Sequence, residues 1–313
     1  MTTTDEPSSP EQQFEALRAL LFSIAYRITG SVSESEDVIQ EAWLRYEPLA
    51  DSVRSPKSFL ASVVTRIAID ELRSARVRRE RYVGEWFPEP LLSDPYEDPA
   101  RAAELADSVS VAALLLLERL SPLERAVFVL HEVFGFTFAD VAAALERNEE
   151  ACRQLAGRAR RHMQDGRPRF QVDRRKRQQL ADQFITAFRD GDVVALRELL
   201  AADVQLLGDN GGKAPLWGRG ISGADNVARL LSTLVTPFME RGGSIRPREL
   251  NGEPGAIFYD RDGRVINTWT LEIDDGQVRA IRAVTNPDKL AHVGPVSDAW
   301  AVVRETVGAL RTR

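Results

Sequence analysis

The 313-residue sequence has one cysteine, Cys152, and only three histidines, His131, His162 and His292. A single thiol excludes an intrachain disulfide framework and a cysteine-rich zinc site. The histidines are too few and too scattered for a metal centre, so neither a metal nor a cofactor is expected. No apolar run is long enough to span a membrane and no secretory leader is recognisable; a cytoplasmic protein is expected. Positive charge is not in excess either: the formal net charge is −6. That excludes a uniformly basic nucleic-acid coat. The basic residues are instead clustered, which is the more useful fact. The length suffices for two or three domains. Residues 1–9 are polar and expected to be disordered.

The most informative stretch is 120–163, LSPLERAVFVLHEVFGFTFADVAAALERNEEACRQLAGRARRHM. Ser121, Pro122 and Glu124 make a capping box with proline at the first helical position. Ala126, Val127, Val129, Leu130 and Val133 give that helix an apolar face, and Gly135 ends it. Thr137 and Asp140 cap a short second helix, 138–145. Residues 146–148 form a turn, where a glycine is common and Glu146 or Arg147 stands instead. A third helix runs over 149–162, with Cys152, Leu155 and Ala159 inward. This is the helix-turn-helix pattern. Arg153, Gln154, Arg158, Arg160 and Arg161 lie on its outer side, where arginines pair phosphates and read guanine edges. The alternative is a solvated basic face on an ordinary helical hairpin.

Upstream, residues 14–29 repeat apolar side chains at helical spacing and Gly30 stops them. Ser33 and Glu36 read as a capping box for the next helix, SESEDVIQEAWLRYE. Ser55 and Pro56 open a third helix, KSFLASVVTRIAIDELRSARVRRER, whose second half carries six arginines in sixteen residues. A dipole-matched C-terminus needs fewer. Prolines 88, 90, 95 and 99 then forbid a continuous helix through an acidic stretch containing EWFPEP. Two aromatics among prolines suggest docking on a surface; the alternative is a disordered acidic tether.

In this order, DVIQEAWLR, the SP-F-ASVVTR-AIDELRSARVRRE helix and the LSPLERAVF helix-turn-helix resemble a bacterial sigma factor of the extracytoplasmic-function class. The resemblance covers roughly residues 10–168. It implies that Asp37, Gln40, Glu41 and Arg45 face core RNA polymerase. It also implies that Arg54, Lys57, Ser58, Arg66, Arg73 and Arg76 take the downstream promoter element, where a base can be held outside the stack. The helix carrying Arg153 would then enter the major groove upstream. The promoter elements, about 17 base pairs apart, are separated by roughly 58 Å at about 3.4 Å per pair. A linker of about 28 residues reaches roughly 90 Å.

Residues after 168 read as helices followed by strand-like runs between turn signals: SIRPREL, AIFYD, VINTWTLEI and VRAIRAV. That order implies an α+β domain with a curved sheet wrapped around helices. It resembles the SnoaL-like, nuclear-transport-factor-2-like cone. DNGGK at 209–213, NPDKL at 286–290 and WFPEP at 86–90 resemble the three signatures of sigma factors with such a fused domain. Asn210 stands where glycine is usual; asparagine tolerates positive φ, so the turn is expected to be kept.

The expected organisation is therefore multidomain. A sigma region 2 domain spans 10–84, an acidic Pro-rich linker 85–108 and a region 4 domain 109–168. The SnoaL-like domain spans 169–295 and a C-terminal helix 296–313. The resemblance places Trp86, Pro88, Glu89, Pro90, Asp209, Gly211, Gly212, Lys213, Asn286, Pro287, Asp288, Lys289 and Leu290 in one regulatory contact. In it, Lys213 or Asp209 holds the linker. Expected partners are core RNA polymerase and promoter DNA, with a small-molecule ligand in the cone left open and no separate anti-sigma factor required. Asp209 is the one candidate general base, and its competing role is a turn residue. No second catalytic group accompanies it, so no enzyme is expected. The other classes are a one-component regulator with a ligand sensor and a SnoaL-like isomerase fused to a DNA-binding module.

Overall fold

The computed structural model describes residues 9–79, 82–100, 102–166, 174–215 and 220–310. The segment expected to be disordered lies, apart from Ser9, outside the described residues, as does most of the basic run at 165–177. The chain divides into two compact units. The first comprises Met1–Arg78, Asp94–Val109 and Ala113–Arg167; the second comprises Arg79–Ser93, Ser110–Ala112 and Pro168–Arg313. No helix among the described residues is long and apolar enough to cross a membrane.

In the first unit, α1 (Pro10–Thr29) starts a turn before its apolar repeat, because Ser9 and Gln12 form a capping box. Gly30 ends it at φ 75°. Ser31, not Ser33, caps α2 (Val32–Tyr46): its hydroxyl accepts the Glu34 N–H at 3.1 Å. The left-handed glycine leaves Ser31 extended at φ −131°, so the cap falls two residues earlier than the Ser33–Glu36 reading. Then come α3 (Pro56–Arg79), α4 (Ala102–Val109), α5 (Val111–Leu117) and α6 (Pro122–Val127). A π-helical turn, Phe128–Val133, continues α6. Ser121 with Glu124 and Thr137 with Asp140 form the capping boxes of α6 and of α7 (Phe138–Leu145). Glu146 takes the left-handed conformation at φ 54°, filling the place of the missing glycine before α8 (Glu149–Gly166).

Two arginines sit in the core of this unit. Arg27 is fully buried. It bonds Asp94 at 2.7 Å, Ser108 at 2.8 Å and the Leu105 carbonyl at 2.9 Å. Its guanidinium also lies over the Phe134 ring. Arg125 donates to the Arg27 carbonyl and pairs with Glu118. Carboxylate and carbonyl partners are what make burying a charge tolerable. These bonds tie α1 to residues 94–109, the C-terminal part of the expected linker.

The second unit contains α9 (Arg174–Asp190), α10 (Val193–Leu199), β1 (Leu200–Asp209), β2 (Ile221–Ser222), α11 (Ala224–Glu240), β3 (Ser244–Leu250), β4 (Glu253–Tyr259), β5 (Val265–Asp274), β6 (Gln277–Val284) and α12 (Ala299–Leu310). The sheet order is β2-β1-β6-β5-β4-β3. Strands β3 to β6 form the expected antiparallel meander. The β3–β4 and β5–β6 turns place Asn251–Gly252 and Asp275–Gly276 at positive φ, as tight hairpins require. Strand β4 therefore begins at Glu253, inside the stretch whose sequence reads as turn. The core is built by i, i+4 side chains: Phe184 and Phe188 of α9 and Val227, Leu231 and Val235 of α11 cover Phe258, Trp269 and Ile281 of the sheet.

One feature departs from a purely antiparallel sheet. Strand β1 pairs with β6 in parallel, with Asp209 opposite Val284. The long connection through α11 permits this. Parallel neighbours release their following loops at the same end of the sheet. DNGGK and NPDKL, 75 residues apart in sequence as Lys213 and Asp288, emerge side by side for that reason.

Candidate functional site

At that end the second unit closes around residues 82–91. Asp209, the last residue of β1, is fully buried. Its main-chain oxygen accepts from the amides of Thr285 at 2.7 Å and Asn286 at 3.0 Å, which splices the two loops. Its carboxylate accepts from the Tyr82 hydroxyl, the Phe87 amide at 2.7 Å and the Lys289 ammonium at 2.6 Å. Lys289 also donates to the Phe87 carbonyl. It lies 4.4 Å from the Trp86 ring centre and 4.9 Å from that of Tyr82. Asn286 caps the short helical turn Pro287–Lys289 and donates to the Tyr82 hydroxyl at 2.8 Å. Burial and the hydrogen bond to Asp209 push the Tyr82 phenol well above its ordinary range, so it stays a donor.

Linker residues 87–91 are buried. Pro88 and Pro90 hold the backbone extended, since proline fixes its own φ and disfavours a helical conformation in the residue before it. The extended chain continues to pair: Leu91 donates to Asn251 Oδ1 at 3.0 Å and accepts from the Asn251 amide at 2.8 Å. His292 Nε2 donates to the Pro90 carbonyl at 2.7 Å, and Nδ1 lies 3.9 Å from Glu89. A linker of this kind is a clasped strand, not an acidic tether.

The two glycines serve close approach. Gly211 and Gly212 have φ 56° and 72°. A Cβ on Gly211 would lie 2.4 Å from Asn286 Nδ2 and 3.0 Å from the Tyr82 hydroxyl; one on Gly212 would lie 3.2 Å from Val83. Asn210 is not at positive φ. It contributes its side chain instead, donating to the Ala214 carbonyl at 2.6 Å and accepting from the Gly212 amide at 3.1 Å. Lys213 pairs with the half-exposed Asp288 and not with the linker. The linker is held by Asp209, Asn286 and Lys289, which point inward, whereas Lys213 points out to Asp288. Leu290 is buried behind them.

A second buried acid belongs to this unit. Glu253, at the start of β4, accepts from the Val111 amide at 3.0 Å. Burial pushes its carboxyl up to about 7, against the opposing attraction of Arg282. Sequence reading missed Tyr82, Asn251, Glu253 and His292. Only the Asn-Gly turn signal touched one of them, and it named a hairpin, not a contact.

In the first unit, Asp37, Gln40 and Arg45 are exposed on α2 and Glu41 is half-buried. Arg45 and Glu41 pair at 2.8 Å. On α3 and the loop before it, Arg54 is exposed and Arg73 pairs with Asp70. The side chain of Arg76 lies outside the described residues. Three other α3 residues face the helix-turn-helix: Ser58 donates to Asp140 at 3.2 Å, Arg66 pairs with Glu146 at 2.7 Å, and Lys57 lies over the Phe136 ring. On α8, Cys152 and Ala159 are fully buried. Arg153, Gln154, Arg158, Arg160 and Arg161 are exposed. Arg153, Arg158 and Arg160 are paired with Glu149, Glu124 and Glu132. The exposed pairs of Arg153 and Arg160 are worth about 0–1 kcal/mol each and exchange readily for phosphate, whereas Glu124 beneath Arg158 is buried. Among the described residues no group of His, Cys, Asp or Glu could hold a metal ion.

Residues 13–78 match the family profile for Sigma-70 region 2, and residues 110–163 that for Sigma-70, region 4. The helical unit thus defines the class: a sigma-70-type protein. The chain is 37% identical over 286 residues to the ECF RNA polymerase sigma factor SigJ of Mycobacterium tuberculosis (strain ATCC 25618 / H37Rv), covering 88% of this chain and 92% of that one. It is 31% identical over 282 residues to the probable ECF RNA polymerase sigma factor SigI of the same species (strain CDC 1551 / Oshkosh), covering 88% and 93%. The crystal structure of the M. tuberculosis extracytoplasmic function sigma factor SigJ superposes with a TM-score of 0.70 at 34% identity, over 91% of this chain and 99% of that one. The chain belongs to the extracytoplasmic-function RNA polymerase sigma factors. It is an alternative sigma factor that directs transcription initiation with core RNA polymerase at promoter DNA, and it carries a SnoaL-like α+β domain.

Proposed function

We propose that the SnoaL-like domain regulates this sigma factor in cis by gripping residues 82–91, and that release of the grip sets promoter output. The observation that carries the reading is the Asp209 carboxylate, fully buried and committed to the linker donors Tyr82 and Phe87 and to Lys289. A gripped linker has a fixed path. With residues 82–91 held, only about 17 residues between 91 and region 4 are left to adjust the spacing of the two DNA-binding regions. That spacing need not match the roughly 58 Å between promoter elements. The gripped form initiates poorly, and the grip substitutes for a separate anti-sigma factor. Ser58 and Arg66, which face Asp140 and Glu146, support the same closed form, since groups meant for the downstream element are occupied. Once released, Arg54, Lys57, Ser58, Arg66, Arg73 and Arg76 take that element. Arg153, Gln154, Arg158, Arg160 and Arg161 take the upstream one, and Asp37, Gln40, Glu41 and Arg45 meet the polymerase. The releasing signal is polymerase itself or a ligand in the cone, either acting only through its preference for one state. A general-base role for Asp209 is disfavoured, because both its carboxylate oxygens already serve these donors.

The test is run-off transcription on one promoter, paired with fluorescence transfer between labels in regions 2 and 4. Trp86→Ala and Asp209→Ala should change the distance and the output; Lys213→Ala, which leaves the linker contacts intact, should do neither. Unchanged distance and output in both linker variants would sink the reading.

A further inference from the structure

The face of the sheet that points away from the core carries an acid with no part in the grip on residues 82–91. In β4, Ala256 and Phe258 belong to the core, so Glu253, Gly255 and Ile257 lie on the other face. Upstream chain covers that face: Phe87, Pro90 and Val111 lie against Thr270 and Arg282. Glu253 is 3% exposed, and its carboxylate accepts from the Val111 amide at 3.0 Å. Val111 opens α5, and Ser110, Val111 and Ala112 are all buried. These three residues belong to the second unit, and the region 4 match begins with them. This is a second hold on the chain, at the entrance to region 4.

The charge of Glu253 is poorly compensated. Arg282 of β6, Glu272 of β5 and Arg177 of α9 face it. Arg282 is already paired with Glu272, which repels a second carboxylate. The Val111 amide favours the ionised form, but burial acts more strongly and pushes the carboxyl up to about 7. A glutamine would accept the same hydrogen bond with no charge to bury, so packing alone does not call for an ionisable group here. When residues 110–112 lift away, the acid loses its cover and meets water.

We propose that Glu253 makes the hold on residues 110–112 proton-dependent, so that acid tightens it and alkali loosens it. With a proton on its carboxyl the side chain stays buried beneath Val111. Opening lets that proton pass to solvent and leaves a hydrated carboxylate. The sign follows from the two environments. Held, the carboxyl titrates at about 7; in water it returns to its ordinary 4.5. The held form therefore binds the proton more tightly. The hold is strongest below about pH 4.5, weakens as pH rises through this interval and levels off above about 7. This deepens the gating reading by naming the proton as a regulator. It rests on that reading for the effect on promoter output, not for the hold itself.

Hydrogen exchange at the Val111 amide reports opening of the hold. It is followed in the full-length protein and in Glu253→Gln between about pH 5.5 and 7.5. Comparison at each pH cancels the intrinsic pH dependence of exchange and the titration of His292 beside Glu89. The ratio of opening constants, unaltered protein over Glu253→Gln, should rise about 20-fold across that range, the factor that titration at 4.5 and about 7 sets. The ratio to Glu253→Leu, which also carries no proton, should rise alike and serves if the glutamine variant does not fold. A ratio constant within about threefold, or one that falls as pH rises, overturns the proposal. Run-off transcription over the same range, normalised to Glu253→Gln, separates the two readings. A rising exchange ratio with unchanged relative output supports the proton-dependent hold and removes it from the gate. A constant exchange ratio overturns the hold whatever the output, and leaves the gate to another signal.

Discussion

Asp209→Ala is the perturbation that most directly measures the linker grip. The carboxylate is fully buried, and its removal strands three donors: the Tyr82 hydroxyl, the Phe87 amide and the Lys289 ammonium. Removing one partner of a buried pair costs roughly 3–5 kcal/mol, much of it from the charge left behind. An orphaned amide costs about 1–3 kcal/mol more, although terms within one network do not simply add. Taking about 3 kcal/mol as the floor, the opening equilibrium of the linker should rise at least about 100-fold. A two-unit chain need not unfold in one step, so global denaturation is the wrong assay. Hydrogen exchange at the Phe87 and Leu91 amides reports the local opening directly. Their protection should fall by that factor in Asp209→Ala and stay unchanged in Lys213→Ala, because Lys213 pairs with Asp288. In a double-mutant cycle, Lys289→Met on the Asp209→Ala background should recover part of the loss, since the stranded ammonium is gone. A fall of less than about tenfold, or an equal fall in Lys213→Ala, would refute the assignment of the grip to the buried pair.

Other outcomes follow from the same geometry. Glu253 holds its proton more tightly folded, at about 7, than at its ordinary 4.5. The group is therefore neutral to stability below about pH 4.5 and destabilises the second unit as pH rises through 7, by about 3 kcal/mol in full; Glu253→Gln should remove that slope in urea melts across this range. Gly211→Ala must force a left-handed alanine and displace the Asn286 amide, so it should cost at least about 1–2 kcal/mol and quench the Tyr82 contact seen by amide exchange. Arg27→Met should destabilise the first unit by about 3 kcal/mol, and adding Asp94→Leu should restore most of it in thermal melts, because the whole pair is then replaced. Replacing Arg153 should relax promoter specificity at particular positions by about 1–3 kcal/mol, while replacing Arg160 should weaken all sequences alike and flatten the salt dependence; identical effects on a promoter-variant panel would contradict that division.

Much of the helical unit is legible in the sequence because its determinants are local. Serine, proline and glutamate at fixed offsets set the start of α6, and threonine with aspartate sets the start of α7. The shift from Ser33 to Ser31 shows the limit: two serines offer two caps, and the conformation of Gly30 chooses between them. The three motifs that meet at Asp209 are legible as motifs, but their pairing is not. Lys213 and Lys289 are both lysines in glycine- or proline-marked loops. Which one points inward depends on the parallel register of β1 and β6, a contact between strands about 75 residues apart. Glu253 and His292 carry no local signal at all and Asn251 only that of a hairpin turn, since each acquires its role from a chain that passes by from far upstream. The same holds for Arg27, whose partner Asp94 lies 67 residues away.

The grip on residues 82–91 also has an order in time. Asp209, Asn251, Asn286, Lys289 and His292, whose side chains hold this stretch, all lie far downstream. During synthesis, roughly 200 residues separate Leu91 from Lys289, which at about 5–20 residues per second is on the order of 10–40 s. Both sigma regions are complete before their linker is covered. For that interval Phe87 and Leu91, buried in the finished protein, have no cover. Pro88 and Pro90 then act as gatekeepers: lacking amide protons, they deny a nascent neighbour the ladder that an uncovered apolar strand would otherwise offer.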